Sequence, residues 1–194
     1  ICYRTQELYL IVFLVRYSDI LFTVQTPWNL TFKLLFIGFT CYIIYMMRFE
    51  RPICVGYEAS NDTFPHRITL LPIALVVGLL IPDFSIWAYW HPFFHRAYNF
   101  TVVLEALAIL PQLTLLRKVR EIEILPGAYI FLLGLYRGIY ILSWTWRMFE
   151  LEEYFSHIYI KFVFGVIQFL LFGDFFINYI KCVRENKQYV NLPI

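Results

Sequence analysis

The chain has 194 residues, of which 60% are hydrophobic, 21% aromatic and only 15% charged, with a formal net charge of +2. Soluble domains carry about a quarter charged residues, so this composition leaves no polar face for a water-soluble fold and suits a chain solvated by lipid. The small net charge and the scattered basic residues give no footprint for nucleic acid.

Six apolar segments predict an all-α membrane protein with six visible transmembrane helices. The first covers 8–24 and contains Arg16 and Asp19 within "VRYSDIL". The second, 30–47, follows an "NLT" sequon at Asn29 that lies too near the membrane for glycosylation. The third, 68–81, is short, and the aromatic stretch 82–90 is expected to extend it into the interface. The fourth (97–116) carries Glu105, the fifth (124–146) Arg137 and the sixth (159–180) Asp174. Most approach the ~20 residues that a helix needs to cross the hydrocarbon core. None alternates with period two, which argues against a β-barrel. Residues 1–180 therefore read as one membrane domain, followed by a basic tail, 181–194.

Six crossings put both ends on one side. The basic residues there are Arg4, Arg48, Arg51, Arg67, Arg117, Lys118, Arg120, Lys181, Arg184 and Lys187, against Lys33, Arg96, Arg147 and Lys161 on the other. Positive charge collects in the cytosol, so both ends are expected to be cytosolic. The chain begins at Ile1 rather than methionine, and a preceding helix entering from the lumen would fit this charge pattern.

Five ionisable residues fall inside spans: Arg16, Asp19, Glu105, Arg137 and Asp174. Each costs about 2.5–3.5 kcal/mol at a helix centre, so each calls for an inward-facing reason. Arg16 and Asp19, three apart, share a helix face and could pair locally. Glu105 and Asp174 lie on other helices, within reach of Arg137 across a bundle core. Alternatively, the same charges line a polar cavity, where the two planar guanidinium forks suit carboxylates of an acidic ligand. Tyr17, Tyr136 and Tyr140 would add hydroxyls. Loss of ligand binding in a folded Arg16→Ala or Arg137→Ala protein would separate the cavity from purely internal pairing.

No catalytic constellation is present. "LFGDFF" places Leu171 where the GxGD motif of an intramembrane aspartyl protease needs glycine, and no GxSG supplies a serine nucleophile. His66, His91, His95 and His157 are predicted to lie in loops without metal-ligand spacing. Cys2, Cys41, Cys54 and Cys182 show no CxxC pattern and read as reduced thiols. No metal or cofactor is implied.

The ordered motifs "VRYSDILFT", "NDTF", "LEALAILPQL", "FLLGLYRGIYILSWTWR", "GVIQFLLFGDFF" and "NLPI" resemble the ER-lumen protein retention receptors, the KDEL receptors. The resemblance runs from about Thr5 to the C-terminus. It implies a seven-helix bundle of SWEET/PQ-loop-like architecture that binds the C-terminal Lys/His-Asp-Glu-Leu signal of escaped ER proteins in the acidic Golgi and returns them by retrograde vesicles. By motif, Arg16, Arg137 and Arg147 would take acidic groups of the peptide. Asp19, Tyr140 and Trp144 would line the cavity. Glu105 and Tyr136 would form a hydrogen-bonded pair linked to closure, and Asp174 would hold a partner in the core. Lys181, Arg184 and Lys187 would form the basic tail that recruits the retrograde coat.

Departures from the family pattern carry expectations of their own. The family's first helix, with a further ligand-binding arginine and a pH-sensing histidine, is not in this sequence, and the chain is expected to be truncated. His95 stands where the family commonly has a glutamate that reads the first residue of the tetrapeptide; a cation there disfavours a ligand lysine. Ser143 replaces a usual asparagine. A SWEET-like transporter is the alternative, but two intramembrane arginines suit a neutral solute poorly.

Overall fold

The computed structural model describes residues 2–21, 26–51, 62, 64–81, 92–119, 121–150, 155–185 and 189–191. The chain is helical, with eight α-helices among the described residues: α1 (Tyr3–Arg16), α2 (Pro27–Phe49), α3 (His66–Leu80), α4 (Pro92–Leu107), α5 (Leu110–Val119), α6 (Ile124–Glu150), α7 (Phe155–Leu171) and α8 (Gly173–Arg184). A 3-10 turn, Tyr17–Leu21, follows α1, and two three-residue strands are present, β1 (Glu121–Glu123) and β2 (Tyr189–Asn191). Two compact units divide the chain near the middle of α5.

The first unit holds α1 to α4. Its α1 packs on α2 and on α4, and α4 packs in turn on α3. Thr5, Leu8, Tyr9 and Val12 are buried along α1, the spacing of one helix stripe. The helix begins earlier than its apolar run because the polar residues of its first turns find partners. It also stops earlier: at Arg16 the backbone tightens into the 3-10 turn, where the Ser18 hydroxyl donates to the Val15 carbonyl at 2.8 Å. Pro27 suits the first turn of α2, where its missing N–H would have had no intrahelical acceptor. Most of α2 is exposed, including Trp28, Phe32, Phe39, Tyr42 and Phe49. That apolar surface suits contact with lipid tails.

At the α3–α4 crossing, a Cβ added to Gly78 would lie 2.6 Å from Phe100 Cα. The obstacle is backbone, so it cannot rotate away. Gly78→Ala is expected to push the helices apart and to cost about 1–3 kcal/mol, read as a lower melting temperature and a poorer yield of monodisperse protein. An unchanged melt would show that the two helices are not tightly apposed there.

The "LPQL" sequence marks the change from α4 to α5. The helix loosens at Ala108 and Ile109, and Pro111 enters the first turn of α5. The second unit holds the rest of α5 with α6, α7 and α8. Its α6 packs lengthwise on α7, and a Cβ on Gly165 would meet the Trp144 indole at 2.5 Å. The α7 and α8 axes differ by 46° across the break at Phe172. Strand β1 pairs antiparallel with β2, Glu121 opposite Asn191 and Glu123 opposite Tyr189. This small ribbon leaves the chain all-α in class, and it joins the 121–123 segment to the tail, two stretches predicted to share a side.

The described residues include three helices long and apolar enough to cross a membrane: Pro27–Phe49, Phe93–Leu116 and Gly127–Phe149. The bent pair Tyr159–Leu171 and Gly173–Arg184 makes a fourth if it is one span. The protein is a multi-pass membrane protein. The other two expected spans differ because α1 is 14 residues with its charges at both ends, and α3 is 15 residues. The proposed extension of α3 over 82–90 falls outside the described residues.

Candidate ligand-binding site

The predicted site residues divide between the two units. In the first, Arg16 closes α1, where a cation meets the negative end of the helix dipole. Its Nη2 lies 2.6 Å from Glu105 Oε2 on α4, its Nε donates to Thr101 Oγ1 at 3.2 Å, and its guanidinium lies 5.6 Å from the centre of the Tyr98 ring. Tyr98, Thr101 and Glu105 fall three to four residues apart and so share one face of α4. The Arg16 and Glu105 side chains are 19% and 12% exposed, so the pair is strengthened by weak solvent screening while much of its desolvation cost remains.

Asp19 sits in the 3-10 turn, off the α-helix expected for it, and its Oδ2 lies 2.6 Å from Lys33 Nζ on α2. The same Nζ is 5.6 Å from the centre of the Tyr17 ring, and Tyr17 stacks on Phe13 with centroids 5.7 Å apart. Arg16 and Asp19 each have a counter-charge from a different helix. Lys33, read from sequence as a loop charge, belongs to this cluster. His95, predicted in a loop, is buried within α4.

In the second unit the aromatic site residues form a ladder along α6. The Tyr136 and Tyr140 rings meet edge to face at 5.7 Å, and Tyr140 and Trp144 lie 5.6 Å apart. The spacing of four makes the ladder, since residues four apart are neighbours on a helix. Arg137 is 6% exposed, and its guanidinium lies 4.7 Å from the centre of the Tyr136 ring. Ser143 and Arg147 are exposed. Asp174 departs from its expected core position: it is exposed in the first turn of α8, where a carboxylate suits the helix dipole, and Asn178 Nδ2 donates to its carbonyl at 2.8 Å. Lys181 and Arg184 are exposed in the last turn of α8, and Lys187 lies outside the described residues.

At the other end of α1, sequence reasoning missed a polar clasp. Arg4 Nε lies 3.3 Å from Asp62 and donates through Nη1 to the Phe64 carbonyl. The Cys2 thiol donates to Asp62 at 3.2 Å, and burial pushes that thiol up to about 11. Glu7 meets His66 Nε2 at 2.8 Å and Arg67 Nη2 at 2.7 Å. His66 is therefore buried at the start of α3, not in a loop. A lone glutamate one turn into an apolar helix was the available signal.

Burial by itself would raise the Glu7 carboxyl, but the hydrogen bonds from Arg67 and His66 outweigh it and hold the group below its ordinary value of 4.5. The clasp therefore contributes stability above that value and loses it as pH falls through the lowered one. Glu7→Gln is expected to flatten the fall in melting temperature below pH 4.5; an unchanged acid limb would exclude Glu7 as its source.

The sequence profile of the ER lumen protein retaining receptors matches residues 1–147. The ER lumen protein-retaining receptor of Petunia hybrida is 40% identical over 190 residues, covering 98% of this chain and 84% of its own. Receptor B of Arabidopsis thaliana shows the same identity and coverage. The receptor of Plasmodium falciparum is 39% identical over 173 residues, 89% of this chain and 75% of its own.

Proposed function

The chain belongs to the ER lumen protein retaining receptor family, a family of receptors and not of enzymes, and from that premise we propose that it binds the C-terminal Lys/His-Asp-Glu-Leu signal of escaped ER proteins. Binding takes place in the Golgi at mildly acidic pH, and retrograde vesicles return the complex to the ER. The observation that carries this reading is the burial of a permanently charged guanidinium, Arg137, in an apolar helix beside a ladder of aromatic rings. Such a group is expensive in a membrane and suits a ligand rich in carboxylates.

In this reading Arg16, Arg137 and Arg147 receive the acidic groups of the peptide, and Tyr17, Asp19, Tyr140 and Trp144 surround it. Glu105 and Tyr136 join as the receptor closes, and His95 bears on the first residue of the signal. Asp174 supports the last helix. A SWEET/PQ-loop-like bundle over 1–180 is embedded in lipid, and the tail 181–194 is cytosolic. A peptide that binds only the closed state shifts the population towards it, and protonation adds to that bias. Closure then presents Lys181, Arg184 and Lys187 to the retrograde coat. Transport of a neutral solute is not favoured, because the relatives at 39–40% identity are named as ER lumen protein-retaining receptors.

The test is binding of a labelled His-Asp-Glu-Leu peptide to the purified protein in lipid nanodiscs. Saturable binding at mildly acidic pH that weakens at neutral pH supports the receptor. No binding at either pH defeats it.

A further inference from the structure

The charged cluster of the first unit is balanced before any ligand arrives. Arg16 faces Glu105 at 2.6 Å, and Lys33 faces Asp19 at 2.6 Å. An acidic peptide is attracted by the cations of such a cluster, but a peptide with a cation at its head also needs a carboxylate. Asp19 is the carboxylate three residues beyond Arg16, and Lys33 already holds it. Lys33 is itself fixed: its side chain is 15% exposed, and its ammonium lies 5.6 Å from the centre of the Tyr17 ring. A second cation approaching Asp19, whose side chain is 36% exposed, would therefore meet a neutral pair and the partly screened repulsion of a nearby ammonium.

The geometry points to Lys33 as a positioning residue that sets ligand specificity: by holding Asp19, it lowers the preference of the site for a peptide whose first signal residue is cationic. This rests on the receptor reading and deepens it. In this proposal the head of the peptide feels Asp19 together with His95, and Lys33 decides how much of the Asp19 field remains for it. Specificity of this kind comes from a repulsive element built against one partner as much as from attraction to another.

The experiment compares acetylated peptides ending in X-Asp-Glu-Leu, with X lysine, histidine or glutamine, on the unmodified protein, Lys33→Met and Lys33→Arg. Methionine keeps a flexible stem beside Tyr17 and removes the charge. Lys33→Met is expected to raise the ratio of lysine-headed to glutamine-headed affinity by roughly tenfold, while Lys33→Arg leaves that ratio near its original value. Thermal melts identify the folded variants. A folded Lys33→Met with an unchanged ratio overturns the proposal. So does equal weakening of all three peptides, which would make Lys33 a structural prop only. If Lys33→Met does not fold, Lys33→Gln is read in its place by the same ratio. Failure of the unmodified protein to bind any of the peptides is a different result, because it removes the receptor reading itself.

Discussion

Arg137→Ala is expected to abolish measurable binding of a His-Asp-Glu-Leu peptide, a loss of about 100-fold or more, while the protein remains folded. Truncating one member of a buried charged contact between partners costs about 2–5 kcal/mol, and each 1.4 kcal/mol is tenfold in affinity. Arg137 is 6% exposed and lies against the Tyr136 ring, so little water screens whatever carboxylate it meets. Arg137→Lys keeps the charge but loses the planar fork and its fit to the ring, and should recover only part of the affinity. Calorimetric titration at mildly acidic pH reads both variants. Full binding by a folded Arg137→Ala would show that this arginine serves the fold alone.

Arg16 calls for a different pattern, because it has a structural partner as well as a proposed ligand. Arg16→Ala takes the guanidinium away from Glu105, 12% exposed, and from its contacts with Thr101 and Tyr98. Removing one partner of a buried pair costs about 3–5 kcal/mol. With both side chains partly solvated, about 2 kcal/mol is a fair expectation. Adding Glu105→Gln should restore most of the melting temperature, since an amide tolerates that position without a counter-charge. Peptide binding should stay lost in the double variant beyond what Glu105→Gln alone loses, that single variant being the reference because Glu105 is itself proposed to act in closure. The cycle thus separates the two roles of Arg16. Binding that returns along with stability would mean that Arg16 acts only by bracing α4.

Much of this was legible in the sequence. The long apolar runs of α2, α4–α5 and α6 announce themselves by composition, and the spacing of Tyr136 and Tyr140 puts both on one helix face, while the continuation of their ring contacts to Trp144 came only with the structure. Partners distant in sequence were not legible. Nothing local says that Arg16 will find Glu105 rather than Asp19, because the choice depends on α1 ending at Arg16 and on which helix packs beside it. Lys33 looked like a flanking charge, since positive charge at a span end has an ordinary explanation. His66 and His95 looked like loop residues because the helix starts around them lack strong capping sequences. The ribbon of β1 and β2 was hidden for the same reason: three residues give no period to read.

The 15 described residues of α3 bear on the bilayer thickness that suits it. At 1.5 Å per residue the helix is about 22 Å long, while bilayer cores are about 27 Å in the ER and about 32 Å in the plasma membrane. Held against α4 at Gly78, α3 cannot slide to meet a thicker bilayer, so the lipid beside it must thin or polar ends must reach. Each ångström of mismatch costs a fraction of a kcal/mol. As far as it is described, α3 suits the thinner of these bilayers better than the thicker one.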